Sequence, residues 1–155
     1  MSVRPDLVAC WLFRLAPNGR PEILLIRRAP GRIYPGLWQC VTGRLEPGER
    51  IVDGALREVV EETGLGRTDL EAVYETDIVN WFHESSVDAV LCEAVFAARV
   101  RAGAEVVLSI EHDEARWLDP AAATGLVIWP AYEQAIALIA RLVADPARAA
   151  VLRHD

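Results

Sequence analysis

The stretch GRLEPGERIVDGALREVVEETGL, which spans residues 43–65, decides how this chain is interpreted. The letters EPGE at residues 46–49 have the composition of a turn. From residue 50 to residue 63, apolar side chains recur every three or four positions, which is the spacing of an amphipathic helix. Gly64 stands where such a helix typically ends, because glycine readily adopts the left-handed conformation of a C-terminal cap. The stretch therefore predicts a turn followed by a helix.

Two stripes of side chains run along the predicted helix. Glu58, Glu61 and Glu62 form an acidic stripe, which lies about 110–120° around the helix axis from the apolar stripe. Like charges at this spacing destabilise a helix, and Mg²⁺ or Mn²⁺ would remove the repulsion while also binding substrate phosphates. Three glutamates alone more often form a solvated acidic face, so the rest of the stretch decides between the two interpretations. The apolar stripe consists of Val52, Ala55, Leu56 and Val59.

The whole stretch resembles the Nudix box, which reads glycine, five residues, glutamate, seven residues and then R-E-U-x-E-E-x-G-U, where U is aliphatic. At ordinary residue usage, its seven fixed identities would align by chance in roughly one chain per million. The flanking stretches LLIRR, WQCVTG and EHDEARWL resemble bacterial Nudix pyrophosphatases, and the last two together are similar to the dihydroneopterin triphosphate pyrophosphatase branch. The matching box positions are Gly43, Glu49, Arg57, Glu58, Val59, Glu61, Glu62, Gly64 and Leu65.

The resemblance implies an α/β fold, the Nudix α/β/α sandwich, with a mixed β-sheet between helices in one domain over residues 1–155. It also implies a magnesium-dependent enzyme, with Mn²⁺ as a substitute, in which a metal-activated water cleaves a phosphoanhydride. The expected substrate is a nucleoside diphosphate linked to another group, or a nucleoside or pterin triphosphate. Two alternatives stay open, a Nudix-like module that senses nucleotides without cleaving them and an isomerase acting on a diphosphate. The complete set of box carboxylates weighs against the first, and no sequence feature favours the second.

Metal binding is the role that the resemblance implies for four positions of the box. Glu58, Glu61 and Glu62 would bind the cation, with Glu62 as the central ligand. Gly43 would offer its backbone carbonyl and allow a close approach of the chain. Glu61 and Glu62 are also the box residues that we expect to take part in catalysis.

Three other box positions are expected to have structural roles. Arg57 and Glu49 resemble an ion pair that holds the loop against the helix, and Gly64 should cap the helix whatever the function. Beyond the box, Glu111 lies in a predicted loop, where a glutamate often completes a Nudix metal site or acts as the base. Glu114 in the same loop is the alternative for that role, and His112 between them is expected to be structural.

Arginine and aromatic side chains are the candidates for substrate binding. Arg27 and Arg28 end a predicted strand, and because alternate residues of a strand point to opposite faces, we expect one of them to face the phosphates. Arg44, directly after the first glycine of the box, is a further candidate. The aromatic residues that could stack on a base or pterin ring are Trp38, Trp81, Tyr34 and Phe82.

The remaining chain alternates apolar runs with turn signals. The first two predicted strands are expected to form a hairpin, and a final helix is predicted at residues 131–143, with a proline near its first turn. Strands are predicted at residues 7–15, 22–28, 38–42, 70–82, 89–100, 105–110 and 115–118.

Composition excludes several classes of protein. The chain has a net charge of −7, whereas a protein that binds nucleic acids non-specifically needs a basic surface. Small molecules are therefore the expected partners. The three cysteines form no C-x-x-C pair, so neither a zinc site nor a disulfide framework is predicted. With neither a signal-peptide pattern nor an apolar run of about 20 residues, we expect a cytoplasmic enzyme that does not contact membranes. The sequence does not determine the oligomeric state, and a homodimer stays open.

Overall fold

Eight β-strands form one mixed sheet in the computed structural model, which describes residues 2–154. The strands are β1 (Leu7–Leu15), β2 (Pro21–Arg28), β3 (Trp38–Gln39), β4 (Val41–Arg44), β5 (Leu70–Glu84), β6 (Ala89–Val100), β7 (His112–Leu118) and β8 (Arg153–His154). Along the sheet the order is β3-β2-β1-β6-β5-β8, while β4 also pairs with β1 and β7 with β2. β1 and β6 run parallel and the other pairs run antiparallel, so the sheet is mixed, as predicted.

Helices cover both faces of the sheet. They are α1 (Ile51–Thr63), α2 (Pro120–Leu126), α3 (Pro130–Ala144) and α4 (Pro146–Leu152), with a 3₁₀ turn at Arg67–Asp69. The helix α1 packs on one face, and α2 and α3 pack on the other, which confirms the predicted α/β/α sandwich. Side chains of β1 alternate between the two cores because neighbours on a strand point to opposite faces. They are Val8, Cys10 and Leu12 on the α1 face, and Ala9, Trp11 and Phe13 on the other.

One edge of β1 changes its partner half-way along the strand. The first half pairs with β4, with Val8 opposite Gly43, and the second half pairs with β2, with Phe13 opposite Ile23. The opposite edge of β1 pairs with β6 over most of its length. This arrangement holds β4 at the centre of the sheet, where it carries Gly43 to the helix α1.

Local signals predicted the two long helices well. The helix α1 begins one residue later than expected and ends at Thr63, where Gly64 adopts φ 70° and donates its backbone N–H to the carbonyl of Val60. The last predicted helix is α3, which extends one residue further at each end. The predicted hairpin of β1 and β2 is also confirmed.

The predicted strand at residues 105–110 is wrong. This apolar segment has no strand partner, and its backbone satisfies the end of α1 instead. Val107 donates its N–H to the carbonyl of Thr63 at 2.8 Å, and Ser109 donates to the carbonyl of Glu62 at 3.3 Å. Because the last carbonyls of a helix have no partner within the helix, an extended segment lying across them is stabilised without a sheet.

Other differences concern short elements. The predicted strand at residues 38–42 is divided at Cys40 into β3, which pairs with β2, and β4, which pairs with β1. The helices α2 and α4 were not predicted, because seven residues carry too little periodicity. Each nevertheless begins with an aspartate cap followed by proline, at Asp119 and Asp145, which is a start signal. Within residues 2–154, no helix is long and apolar enough to cross a membrane.

Candidate metal site

Glu62 lies in the last turn of α1 and is almost completely buried, with 3 % of its surface exposed. Burial, and then the nearby carboxylates of Glu58 and Glu111, raise the pKa of its carboxyl group to about 8. Its Oε2 atom has no hydrogen-bond partner in the described part of the chain. A buried carboxylate oxygen without a partner is costly, so this position favours a bound cation or a proton.

Glu58 lies one turn earlier on α1, and its carboxylate fills the space beside Gly43. A Cβ atom on residue 43 would lie 2.0 Å from the Cδ atom and 2.2 Å from the Oε1 atom of Glu58, so only glycine fits. Burial raises the pKa of the Glu58 carboxyl group, while Arg57 opposes that shift. The glycine therefore lets β4 lie directly against the acidic side of α1.

The guanidinium group of Arg57 joins the loop, the helix and β4. It binds Glu49 in a bidentate contact, with Nε 2.8 Å from Oε1 and Nη2 3.1 Å from Oε2. Nη1 donates to Glu58 at 2.8 Å and to Glu61 at 3.2 Å. Nη2 also donates to the carbonyl of Arg44 at 3.0 Å. The structure thus brings Arg57 and Glu49 together as a pair, and the pair also orients the neighbouring carboxylates.

Glu111, in the loop before β7, and His112, the first residue of β7, both lie beside Glu62. A carboxylate oxygen from each glutamate and a ring nitrogen of His112 lie within 4.8 Å of one another. The Glu111 side chain is about half exposed, whereas His112 is buried. Ser109 fixes the loop by donating its backbone N–H to the Glu62 carbonyl and accepting, through Oγ, the N–H of Glu111 at 3.3 Å.

This set of donors fits a hard divalent cation. Carboxylate oxygens are the ligands that Mg²⁺ and Mn²⁺ take in proteins, and the unpartnered Oε2 atom points to a missing positive partner. Of the residues expected at the metal, the structure brings Glu58, Glu62, Glu111 and Gly43 together. Glu61 lies at the edge of this group, with 56 % of its side chain exposed.

The arginine candidates lie in different surroundings. Arg28 is close enough to Glu62 for its charge to oppose the rise in the pKa of that carboxyl group. Arg27 forms an ion pair with Glu114, with Nη1 2.9 Å from Oε2. Arg28 is therefore the strand-end arginine beside the acidic group. Arg44 is exposed at the end of β4.

A family model described as the NUDIX domain matches residues 5–142 of the chain. The chain belongs to the Nudix family. The buried carboxylates, the close-packed glycine and the Arg57 network are therefore the three-dimensional form of its Nudix box.

Solved Nudix structures share the fold over nearly the whole chain. An Ap4A hydrolase of C. elegans has a TM-score of 0.79 at 19 % identity, covering 91 % of this chain and 98 % of that one. The dihydroneopterin triphosphate pyrophosphohydrolase of E. coli has a TM-score of 0.74 at 25 % identity, covering 89 % and 96 %.

A sequence relative is similar over a shorter region. The octanoyltransferase of Myxococcus xanthus is 39 % identical over 98 residues, which is 63 % of this chain and 26 % of that protein. This chain thus spans about a quarter of the length of that curated relative, and the similarity concerns one part of it.

The aromatic candidates of this Nudix chain lie on separate surfaces. Trp38 is partly buried against the α3-side core, and the Arg116 guanidinium carbon lies 4.8 Å from its ring centroid. On β5, Trp81 is 58 % exposed and points to the face opposite Asn80. Trp81 therefore lies on the face of the sheet that α1 covers, because its partner Cys92 shares a face with Ala94 and Val8. Phe82 lies on the same face as Asn80.

Sequence reasoning missed a buried polar group beside the box. Glu93 of β6 is 6 % exposed and accepts hydrogen bonds from Thr42 Oγ1 and Asn80 Nδ2, both at 2.9 Å. Burial raises the pKa of the Glu93 carboxyl group. A single acidic residue within the apolar strand AVLCEAVFAA was the available signal, because such a charge is rarely buried without partners. Gln39, which contacts His112, was also missed.

Replacing Arg57 with lysine should destabilise the protein. An ammonium group keeps the charge but cannot reproduce the bidentate contact with Glu49 together with the bonds to α1 and β4. We expect the free energy of unfolding to fall by about 1–3 kcal/mol, the scale of hydrogen bonds to charged groups, as measured by urea denaturation. Arg27→Lys is the matched control, because Arg27 also binds two carboxylates but at the surface. Equal losses in both variants would contradict the organising role of Arg57.

Proposed function

We propose that this chain is a Mg²⁺-dependent Nudix pyrophosphohydrolase that cleaves a phosphoanhydride in a nucleotide-like polyphosphate. The observation that carries the proposal is the Glu62 Oε2 atom, which is buried beside other carboxylates without a hydrogen-bond partner among residues 2–154. A protein that only recognises nucleotides has no need of such a group. Membership of the Nudix family supports the same chemistry.

Residues of the box and of the following loop would hold the cation. Glu58, Glu62 and Glu111 are the proposed carboxylate ligands, with Glu61 and the carbonyl of Gly43 at the edge of the site. When bound, Mg²⁺ or Mn²⁺ would supply Lewis acidity toward phosphate oxygens and lower the pKa of a coordinated water.

Arg28 and Arg44 are the proposed phosphate-binding side chains. Arg28 lies beside Glu62, and its Nε donates to the carbonyl of Ile33, which fixes the side chain at the base of the loop after β2. A guanidinium group can bind two phosphate oxygens at once and so orient the chain of phosphates. Arg44 is exposed next to Gly43 and can approach a substrate from the other side.

Glu111 is also the proposed general base, through the carboxylate oxygen that does not bind the cation. Its side chain is about half exposed and lies on a loop, so it can accept a proton from the attacking water, whereas Glu62 is enclosed. Arg32 Nη1 lies 3.8 Å from the Glu111 carboxylate. Glu114 is a weaker candidate, because it is bound by Arg27 and Arg116 at 2.9 Å and 2.6 Å.

The proposed substrates are nucleoside or pterin polyphosphates. Two proteins that share the fold are named for such compounds, diadenosine tetraphosphate (Ap4A) and dihydroneopterin triphosphate. Trp38 and Phe82 are the proposed ring contacts, since both lie on the face of the sheet that α3 covers, where Glu93 also lies. The cleaved bond would be the anhydride between two phosphorus atoms.

A substrate panel distinguishes this proposal from its alternatives. Purified protein is incubated with Mg²⁺ and dihydroneopterin triphosphate, dGTP, 8-oxo-dGTP, Ap4A or ADP-ribose. Phosphate or pyrophosphate released from the triphosphates is measured, and the organic phosphates formed from Ap4A and ADP-ribose are separated by chromatography. A nucleotide-sensing module would bind a compound without releasing product, and an isomerase would leave the anhydride intact. Turnover of at least one compound is expected.

Changing Glu62 to glutamine should abolish most of this activity. Glutamine keeps the size and the helix propensity but removes the charge, so a rate loss of at least about 100-fold is expected, the scale of a lost electrostatic contribution. Excess chelator should have the same effect on wild type, and added Mg²⁺ should reverse it. Glu133→Gln, on the distant helix α3, is the control for loss of one negative charge. A Glu62→Gln variant with near-normal turnover would place the metal elsewhere.

Glu111, in the loop, and Glu114, on β7, provide a second test. Glu111→Gln should lower kcat by at least about 100-fold with a much smaller change in KM, because the base acts after the substrate has bound. Glu114→Gln removes the same charge from the same segment but from a residue held by arginines, so kcat should change little. The reverse outcome would assign the base to Glu114, and no effect from either variant would assign it to the box.

A further inference from the structure

His112 is buried at the acidic group, although sequence reasoning expected a structural role for it. It has 4 % of its surface exposed, and one ring nitrogen lies within 4.8 Å of carboxylate oxygens of Glu62 and Glu111. Neither its Nδ1 atom nor the Oε2 atom of Glu62 has a hydrogen-bond partner. Among residues 2–154, these two are the only buried side-chain nitrogen or oxygen atoms without one. Two adjacent side chains therefore each have a buried polar atom without a partner.

The other ring nitrogen already has a neighbour. Nε2 of His112 lies 3.0 Å from the side-chain amide nitrogen of Gln39, on β3. If the amide rotates by 180°, its oxygen accepts the N–H of Nε2, and Nδ1 then presents a lone pair. Histidines that bind metals usually donate their second N–H to a carbonyl or carboxylate in this way. Gln39 can therefore select the tautomer that a ligand requires.

We propose that His112 binds the divalent cation directly through Nδ1, together with Glu62 and Glu111. The site is then a mixed nitrogen and oxygen site, and Gln39 is a positioning residue that holds the imidazole. One cation satisfies both unpartnered atoms at once, and it also offsets the repulsion between Glu62 and the nearby carboxylates, which a neutral water molecule does not. This inference rests on the metal dependence proposed above.

A nitrogen ligand changes which cation is preferred. Imidazole suits transition metals, and Mg²⁺ takes oxygen ligands almost exclusively. A mixed site therefore prefers Mn²⁺ over Mg²⁺ more strongly than a site of carboxylates alone does. His112→Gln should remove most of that difference.

The test is pulsed electron paramagnetic resonance of Mn²⁺ bound to the full-length protein. The bound ion should show nitrogen modulation, and growth with ¹⁵N-histidine should shift its frequencies in the unaltered protein. Modulation should be lost in His112→Gln and kept in His83→Gln, which changes an exposed histidine on the β5–β6 hairpin. The Mn²⁺ dissociation constant of His112→Gln should rise at least about tenfold, with a smaller change for Mg²⁺.

Two outcomes would overturn the inference in distinguishable ways. If Mn²⁺ binds wild type tightly, is lost in Glu62→Gln and shows no nitrogen modulation, His112 is not a ligand, although the proposed hydrolase stands. If wild type binds Mn²⁺ no more tightly than Glu62→Gln does, the inference and the proposed function both fail. The ¹⁵N measurement on wild type decides the question even if His112→Gln does not fold.

Discussion

Glu62 is held with 3 % of its surface exposed while Glu58 and Glu111 raise the pKa of its carboxyl group further. Without a compensating charge, such a group costs free energy, because a buried carboxylate loses its hydration and gains repulsion from its neighbours. Proteins retain local costs of this kind mainly at functional sites. A bound cation would remove this repulsion. It would also bind more tightly, because the carboxylates are already desolvated and held close together before it binds. A cation and a proton would therefore compete for the Glu62 carboxylate.

The rest of the structure holds these carboxylates in place. The absence of a side chain at Gly43 lets Glu58 lie against β4, which in turn is fixed by its pairing with β1. Arg57 ties the loop before α1 to the acidic side of that helix. On the other side, the segment before β7 caps the end of α1 and delivers Glu111. The strand β4, the loop before α1 and the segment before β7 therefore meet at α1, and each of them contacts a different part of that helix.

Features set by local sequence could be predicted. The helix α1, its glycine cap and its separate acidic and apolar stripes follow from spacing and capping alone. The family resemblance singled out Glu58, Glu62 and Glu111, which the fold brings close to one another. The strand expected at residues 105–110 was wrong because its apolar side chains pack against the end of α1, a tertiary contact that alternation does not reveal. The direction of Trp81 depends on the register of β5 with β6, which the sequence does not specify.

The polar groups behind the site were beyond prediction for a related reason. Gln39 meets His112 because β3 and β7 both pair with β2, and Glu93 meets Thr42 because β4 and β6 both pair with β1. Each contact forms because two strands pair with the same third strand, and such a contact produces no periodic pattern in the sequence. The burial of Glu62 belongs to the same class, since an acidic stripe on a helical wheel suggests exposure until the covering loop is known.

Hydrolysis in ¹⁸O-labelled water tests most directly whether this buried group supports attack of water on phosphorus. The protein, Mg²⁺ and the substrate that it turns over are incubated in labelled water, and the products are analysed by mass spectrometry. We expect one ¹⁸O atom in a phosphate group of one product. The other product should keep the bridging oxygen and carry no label. Label on a carbon-bound hydroxyl group, or no labelled product from any polyphosphate in the presence of Mg²⁺, would contradict attack of water on phosphorus.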